Sequence, residues 1–531
     1  MHFDGRAVPR DTELTADLCI IGAGAAGISM ALDLADGHLS VLMLESGGFD
    51  PDPQTQALAK GEVVGLPTFP LEVSRLRFFG GTTGHWGGFC RAFDPIDFEA
   101  RPWVPYSGWP ITHAEVAQYC DRAQELCQVG PPDYEPDQWD LKETPPLPLG
   151  GRNVRTRLVQ FSPPTRFGVR YRDAVVKAPN ISLYLNSNVT AIRPDANGKT
   201  IARLDVATLS GNRFTVKART YVLAVGGLEN ARLLLASNQL MARGIGNDHD
   251  LVGRFFADHI NLDTAAIVPL AKQFNFDLYG RENRRVARRP LRQGGRLASL
   301  MGLLDLDPSV QRTEGTLNYS AEVQPTYFSD HFMHRERYQM PMQSDTGEQS
   351  RFHQVKETLS DLFRNLSDAA SAAFGDESAP DSYYELMSIQ EQAPNPSSRV
   401  TLSGNKDALG VPMARLEWRL TDLDRHTVKV AVQQIAQALG AGQVGRLRLS
   451  LDLDAADWPS YMQSSWHHSG TTRMHADPRM GVVNADLRVH GLANLYVTGS
   501  SVFPTNSSSN PTITVIALSV RLARHLQKIL S

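Results

Sequence analysis

The order of apolar and polar residues predicts two places where a strand runs through glycines into a helix. In residues 17–48 an apolar strand, a glycine turn, a helix and a second apolar strand follow one another. Residues 221–235 repeat the first half of that order. A further helix is predicted from Pro511 to Leu530. Strands that alternate with helices in this way are typical of an α/β fold.

Residues 261–457 have a different pattern. The alternation is looser there, and prolines and aromatic residues are frequent, which predicts a substrate-binding domain built on an antiparallel sheet. Residues 353–374 carry an apolar stripe at helical spacing and predict an amphipathic helix packed on the core. Seven arginines and one glutamate lie between Arg281 and Arg296, which fits a solvated loop or a docking site for an acidic partner or anionic substrate.

Composition limits the class of protein. The chain has 531 residues, of which 42% are hydrophobic and 21% charged, as is ordinary for a packed protein. The net charge of -4 gives no global attraction for nucleic acid or an anionic membrane. No apolar stretch is long enough to predict a membrane span, and no signal-peptide core is visible, so we expect a cytoplasmic protein.

Cysteine and histidine spacing gives no sign of a metal site. The four cysteines contain no Cys-x-x-Cys pair, and no cysteine–histidine cluster has the spacing of metal ligands. We therefore expect a reducing compartment and no bound metal.

Three glycines in the first turn have the spacing of a dinucleotide-binding fingerprint. Gly22 allows the tight turn, Gly24 lets the backbone approach a pyrophosphate, and Gly27 lets the helix pack closely on the strand. The helix N-terminus offers free N–H groups to the phosphates. Glu45 ends the second strand, where an acidic residue binds a ribose hydroxyl and disfavours a 2′-phosphate. These residues predict FAD or NAD rather than NADP.

A second glycine cluster lies in residues 76–88. Four bulky apolar residues accompany its five glycines, which is typical of a backbone pressed against a flat ligand. A buried glycine-rich bend is the alternative interpretation. The glycines are Gly80, Gly81, Gly84, Gly87 and Gly88.

Three separated segments, residues 17–48, 76–88 and 465–512, resemble in their order the glucose–methanol–choline family of FAD-dependent oxidoreductases. The resemblance covers the whole chain, least clearly in residues 261–457, and it selects FAD over NAD. It implies a Rossmann-like FAD-binding domain of the two-dinucleotide-fold type, with an inserted α+β substrate domain. The boundaries expected are 12–95, 181–260 and 458–531 for the FAD-binding domain, and 96–180 and 261–457 for the substrate-binding domain.

The same resemblance implies the cofactor contacts. Ser500 replaces an acid that many family members carry after the preceding glycine, which affects one of these contacts. The expected residues are Gly22, Gly24, Ala25, Ala26, Gly27, Glu45, Ser46, Gly80, Gly81, Thr82, Thr83, His85, Trp86, Gly87, Gly88, Val189, Ala224, Gly226, Gly499, Ser500, Asn510, Pro511 and Thr512.

The family's catalytic pair falls on His467, three residues before the glycine of the His-x-x-Gly-Thr motif, and on Asn510. A histidine suits removal of an alcohol proton near neutral pH, and an amide can orient the hydroxyl. If the segment is extended, neighbouring His468 points to the opposite face. The alternatives are a structural His467 and an Asn510 that caps the helix with Pro511 at its first position.

Two further histidines are interpreted from the family. The pair His85-Trp86 matches a pyranose-oxidase motif whose histidine carries FAD covalently, but the residues before it differ. Covalent attachment and simple packing against the flavin are both open. His259 lies in a segment that resembles a family turn beside the FAD domain, and we expect it to be structural.

The resemblance implies oxidation of an alcohol group of a sugar, glycoside or amino-sugar-like polyol. A non-sugar alcohol is the nearest alternative, and a cyanohydrin-cleaving lyase that keeps FAD structurally is another. Oxygen, a quinone or a partner protein could accept the electrons. An oligomer is compatible with the sequence.

Overall fold

A computed structural model describes residues 1–270, 274–280, 285–288, 297–326, 383–455 and 457–531. Most of the Arg281–Arg296 segment lies outside the described residues. The helix predicted at residues 353–374 lies outside them entirely.

Eleven α-helices and twenty strands occur in these residues. The helices are α1 (Ala25–Leu34), α2 (Pro53–Ala57), α3 (Pro95–Phe98), α4 (His113–Ala117), α5 (Cys120–Leu126), α6 (Phe167–Arg170), α7 (Arg172–Lys177), α8 (Gly226–Ala236), α9 (Pro308–Glu314), α10 (Asp422–Ala441) and α11 (Thr512–Leu530). The strands are β1 (His2–Asp4), β2 (Glu13–Ile21), β3 (Val41–Leu44), β4 (Gly61–Gly65), β5 (Phe89–Cys90), β6 (Val154–Phe161), β7 (Ile181–Leu185), β8 (Asn188–Pro194), β9 (Ile201–Ala207), β10 (Arg213–Leu223), β11 (Ile260–Pro269), β12 (Arg285–Arg288), β13 (Leu297–Leu306), β14 (Tyr319–Thr326), β15 (Tyr383–Gln390), β16 (Arg399–Lys406), β17 (Pro412–Trp418), β18 (Gly445–Leu449), β19 (Gln463–Ser464) and β20 (Leu495–Val497).

The first sheet has eight strands, and most of them are parallel. Its order is β1-β7-β3-β2-β10-β9-β8, and β20 pairs with β10. Ile21 of β2 lies opposite Leu44 of β3 and Leu223 of β10, and Leu223 lies opposite Val497 of β20. Four parallel strands therefore end at one edge of the sheet, where ligands bind in open α/β folds.

Helices α1 and α8 each follow a strand of that sheet, as the patterns at residues 17–48 and 221–235 predict. Helix α1 buries Ile28, Met30 and Ala31 against the core. Helix α11 lies beside α1, where Arg524 donates to Asp33 at 2.9 Å. The end of the chain thus completes the layer that covers the first sheet.

The second sheet has nine strands and is antiparallel throughout. Its order is β18-β11-β15-β14-β13-β6-β5, with β12 on β13 and β19 on β11. Helix α10 packs Ile435 and Leu439 into a separate core with Leu158 and Leu304. The predicted α/β fold class with an antiparallel substrate sheet is confirmed, and the domain boundaries stay predictions.

A small third sheet joins distant parts of the chain. Strands β16 and β17 form its hairpin, and β4 adds to β17 in parallel. None of the helices in the described part of the chain is long and apolar enough to cross a membrane. All four cysteines are described, and all four are buried and unpaired.

Candidate active site

A cavity of about 570 Å³ lies at the edge where the parallel strands end. Both large sheets contribute to its wall. Of the residues expected to contact FAD, Gly27 and Gly80 do not line the cavity, because both pack against backbone: a Cβ on Gly27 would lie 2.0 Å from the Gly22 oxygen, and one on Gly80 2.5 Å from the Gly168 nitrogen. The remaining expected residues line it: Gly22, Gly24, Ala25, Ala26, Glu45, Ser46, Gly81, Thr82, Thr83, His85, Trp86, Gly87, Gly88, Val189, Ala224, Gly226, Gly499, Ser500, Asn510, Pro511 and Thr512.

The first glycine turn has the geometry that a dinucleotide requires. Gly22 has a φ of +101°, and a Cβ there would lie 2.7 Å from the Ala224 oxygen. Gly24 differs, because a Cβ built on it meets no described atom within 4 Å. The same holds for Gly226 and Gly499, which also line the cavity. The backbone requires glycine at position 22, and positive φ values also favour glycine at 226 and 499. The space beside Gly24, Gly226 and Gly499 can take the body of FAD.

Glu45 lies at the end of β3 with 5% of its surface exposed. One carboxylate oxygen accepts from the Ala23 backbone at 2.9 Å. The other accepts from the Gly47 backbone at 2.9 Å and from the Ser46 hydroxyl at 3.0 Å. Glu45 therefore ties the glycine turn to the loop after β3 and places a carboxylate in the cavity, where the sequence predicts a ribose contact.

Two arginines in the same wall were not predicted from the sequence. Arg75 and Arg77 line the cavity and form ion pairs with Glu229 at 3.0 Å and 3.2 Å. Burial raises the pKa of Glu229, but Arg232 and these two arginines overcome that effect and hold it well below its ordinary value. No short motif links residues so far apart in the chain, and only the fold brings them together.

Asn510 stands just before helix α11. The helix begins at Thr512, and its N-cap position is occupied by Pro511, with no side-chain capping bond. The capping interpretation of Asn510 is therefore wrong, since its side chain extends toward His467 instead. The N-terminal end of α11 lines the cavity at Pro511 and Thr512. The positive end of the helix dipole therefore faces the cavity.

His467 and Asn510 are brought together across the cavity. The Asn510 Nδ2 lies 3.3 Å from the His467 Nε2. The backbone N–H of His467 donates to Asp258 at 2.8 Å. On the other side of the ring, the His467 Nδ1 lies 2.9 Å from the Nδ1 of His259. The imidazole is thus held at both nitrogens.

The segment before His467 is not extended throughout, because Trp466 has a φ of +62° and the chain turns there. His468 also lines the cavity. Its ring lies 5.6 Å from that of Phe256, and its Nε2 is 3.8 Å from an Asp258 oxygen. The rings of His467 and His468 differ in their partners: His467 contacts Asn510, whereas His468 lies near Phe256 and Asp258.

Burial dominates the protonation states in this wall. It lowers the pKa of His467 well below 6.5, with His259 and His468 adding to the effect. Burial likewise lowers the pKa of His259. It raises the pKa of Asp258 to about 7, opposed by backbone N–H groups, first among them that of His467. His467 is therefore neutral at neutral pH and able to accept a proton.

His85 lies in the cavity with its ring 5.1 Å from that of Trp466. Its Nε2 is buried and has no hydrogen-bond partner among the described residues. Burial, assisted by Arg166, lowers the pKa of His85 to about 4. The residue thus lines the cavity, and its buried Nε2 is neutral and has no hydrogen-bond partner among the described residues.

The second sheet and nearby loops supply the remaining wall. Aromatic and polar side chains mix there, and Phe69 meets Trp466 edge to face at 5.2 Å. Among the described residues, no group of three or more His, Cys, Asp or Glu side chains could hold a metal ion. The residues of this wall are Phe69, Phe89, Asn261, Glu322, Ile389, Gln463, Ser465 and Trp466.

Two family models match the chain. The model described as FAD dependent oxidoreductase matches residues 17–245, and the model described as GMC oxidoreductase matches residues 394–519. The first match contains the glycine turn and Glu45, and the second contains His467 and Asn510. The first glycine turn and the His467–Asn510 pair thus fall within matches to separate family models.

Known proteins match over nearly the full length. The 2-methyl-1,2-propanediol dehydrogenase of Mycolicibacterium austroafricanum is 24% identical and aligns over 96% of this chain and 95% of its own. The fructose dehydrogenase large subunit of Gluconobacter japonicus is 23% identical, over 96% and 97%. A solved formate oxidase shares the fold, with a TM-score of 0.56, 17% identity and coverage of 99% of this chain and 100% of that one.

The parallel-sheet edge, the open glycine turns and both model matches agree on one cofactor and one reaction class. The resemblance inferred from the sequence motifs is confirmed. The protein is an FAD-dependent oxidoreductase, and its residues 394–519 match the family model described as GMC oxidoreductase.

Proposed function

We propose that the protein oxidises an alcohol group of a sugar or polyol to a carbonyl, with His467 as the general base. The observation that carries the proposal is the 3.3 Å contact between the Asn510 Nδ2 and the His467 Nε2 in the cavity wall. An amide nitrogen can only donate, so this Nε2 carries a lone pair. A substrate hydroxyl that replaces this direct contact can donate to that lone pair while its oxygen accepts from the Asn510 Nδ2.

The residues of the chain account for the movement of the proton. The substrate O–H bond breaks, its proton passes to the His467 Nε2, and the C=O bond forms as the C–H bond breaks. FAD, when bound, supplies the acceptor for the hydride that leaves the carbon. Asn510 holds the substrate oxygen and keeps the carbon oriented. The glycine turns, Glu45 and the N-terminus of α11 would hold the cofactor.

Two observations support a sugar or polyol as substrate. The wall opposite the glycine turns mixes aromatic faces with amide and hydroxyl groups, which suits a ligand with several hydroxyls. One of the full-length relatives is a fructose dehydrogenase subunit. Another is a dehydrogenase of a small diol, and it favours a non-sugar alcohol as the second candidate.

Anaerobic mixing of the FAD-loaded enzyme with single alcohols tests the proposal. The panel contains fructose, glucose, an amino sugar and 1,2-propanediol, and the measurement is loss of the oxidised-flavin absorbance. Bleaching by a sugar supports the proposal, and bleaching by the diol alone supports the second candidate. Bleaching by none of them, together with cleavage of a cyanohydrin, would make the protein a lyase.

We also propose that His85 bonds covalently to FAD, because its buried Nε2 is neutral and has no partner among the described residues. Acid precipitation of the holoenzyme tests this. Yellow colour that stays in the pellet, and moves to the supernatant in His85→Ala, supports the bond. Colour in the supernatant of the unmodified enzyme refutes it.

A further inference from the structure

We propose that Asp258 and His259 are positioning residues that fix the tautomer and the orientation of His467. The inference rests on the proposed function, since it explains why one particular nitrogen of His467 is the base. The sequence predicts only a structural role for His259, which stands 208 residues before His467. The structure places the two rings 4.8 Å apart, nearly perpendicular to each other.

A carbonyl at the far end of the pair determines where the protons lie. The His259 Nε2 is 2.9 Å from the backbone oxygen of Asn506, and a carbonyl only accepts, so this Nε2 carries the hydrogen. In a neutral imidazole the other nitrogen then has the lone pair. The His259 Nδ1 is therefore an acceptor, and the His467 Nδ1, at 2.9 Å, must donate to it.

The opposite tautomer of His467 is disfavoured at both nitrogens. Its Nδ1 would present a lone pair to the lone pair of the His259 Nδ1. Its Nε2–H would meet the N–H of Asn510 at 3.3 Å, which sets two donors against each other. The carbonyl of Asn506 thus acts through His259 to leave the His467 Nε2 unprotonated on the side that faces Asn510.

Asp258 fixes the main chain that carries the ring. One of its oxygens accepts backbone N–H groups from His467 at 2.8 Å, from Ser465 at 3.2 Å and from His259 at 2.8 Å. Only 1% of Asp258 and none of His259 is exposed. One carboxylate oxygen thus joins the backbones of both histidines and supports the contact between their rings.

A matched pair of substitutions at one position separates positioning from simple structural support. In His259→Asn the amide oxygen replaces the Nδ1 acceptor but cannot reach Asn506. In His259→Gln the amide keeps the Asn506 contact but removes the acceptor that faces His467. We expect His259→Gln to slow anaerobic flavin reduction at saturating substrate by about 10- to 100-fold. We expect His259→Asn to be distinctly less impaired, and the half-saturating substrate concentration to change little in either variant.

Each outcome of this experiment has an assigned meaning. Equal impairment of the two variants, or reduction of His259→Gln at the unmodified rate, overturns the inference. Flavin content and thermal midpoint identify a variant that fails to fold, and a His259→Asn that folds as poorly as His259→Gln also counts against it. His467→Ala serves as the reference: if it reduces normally, the proposed function fails, whereas a dead His467→Ala beside a fully active His259→Gln removes only this inference.

Discussion

Two walls of the cavity differ in the chemical groups that they present. The glycine wall, formed by Gly22, Gly24, Gly226 and Gly499, offers backbone and open space. The histidine wall, formed by His467, His468 and Asn510, offers side chains, and His467 contacts both Asn510 and the buried His259 behind the wall. A single added carbon should therefore damage the first wall, while the second should be damaged by exchanging donors for acceptors at constant volume.

The largest expected effect is in the histidine wall. His467→Ala removes the base, and general base catalysis contributes about 100- to 10,000-fold, so anaerobic flavin reduction should slow by that factor. Flavin content should stay high, because the open space beside the glycines is unchanged. Stopped-flow absorbance measures the rate. The matched control is His475→Ala, a histidine outside the cavity, which should leave the rate unchanged.

The next largest effect is expected when a hydrogen-bond donor is replaced by an acceptor of equal size. In Asn510→Asp a carboxylate replaces the amide that donates to the His467 Nε2. The negative charge raises the pKa of His467 and keeps the base protonated, so reduction should slow by about 100-fold at neutral pH. The loss should become smaller as pH rises, because the proton then leaves His467. A loss that stays constant with pH would contradict this account.

Alanine substitutions should have different effects at two glycines of the first turn. Gly27→Ala would place its Cβ 2.0 Å from the Gly22 oxygen and should destabilise the apoprotein by about 1–3 kcal/mol. Gly24→Ala meets no described atom within 4 Å, so the apoprotein should keep its thermal midpoint. It should nevertheless bind FAD more weakly, as titration of apoprotein with FAD can measure. Normal FAD affinity in folded Gly24→Ala would show that the cofactor does not approach this residue.

The smallest expected effect concerns pH. Because burial, aided by His259 and His468, lowers the pKa of His467, the unprotonated base persists below pH 6.5. The rate of flavin reduction in the unmodified enzyme should therefore stay level as pH falls through that value, and should decline only at more acidic pH. A midpoint at or above 6.5 would mean that His467 is more solvated in the holoenzyme than its surroundings here indicate.

Local signals in the sequence were sufficient for Gly22 and Gly24 of the glycine wall, whereas Gly226 and Gly499 came from the family resemblance. The strand, turn and helix around Gly22 follow from spacing within one short stretch, and Glu45 follows from its place at the end of the next strand. The pairing of His467 with Asn510 came from the family resemblance, and the structure brings the two residues together. Their assignment as catalytic residues stays a prediction.

Most of the features that could not be predicted from the sequence depend on contacts between distant residues. His259 had no local feature that distinguished it from a structural histidine, because its role depends on a ring 208 residues away. The turn at Trp466 was missed because a left-handed backbone at a tryptophan has no compositional signal. The pairing of β4 with β17 joins two stretches that neither alternation nor turn residues connect.

The position of β20 in the first sheet has a consequence for biosynthesis. This strand pairs with β10, yet 271 residues separate the end of β10 at Leu223 from the start of β20 at Leu495. A nascent chain can form the early βα unit at the glycine turn while the ribosome is still translating the second sheet. It cannot form the cofactor cavity until β20 and α11 have emerged. FAD capture should thus follow the emergence of α11 from the ribosome, and premature termination within α11 should yield protein that the cell degrades rather than a partly active enzyme.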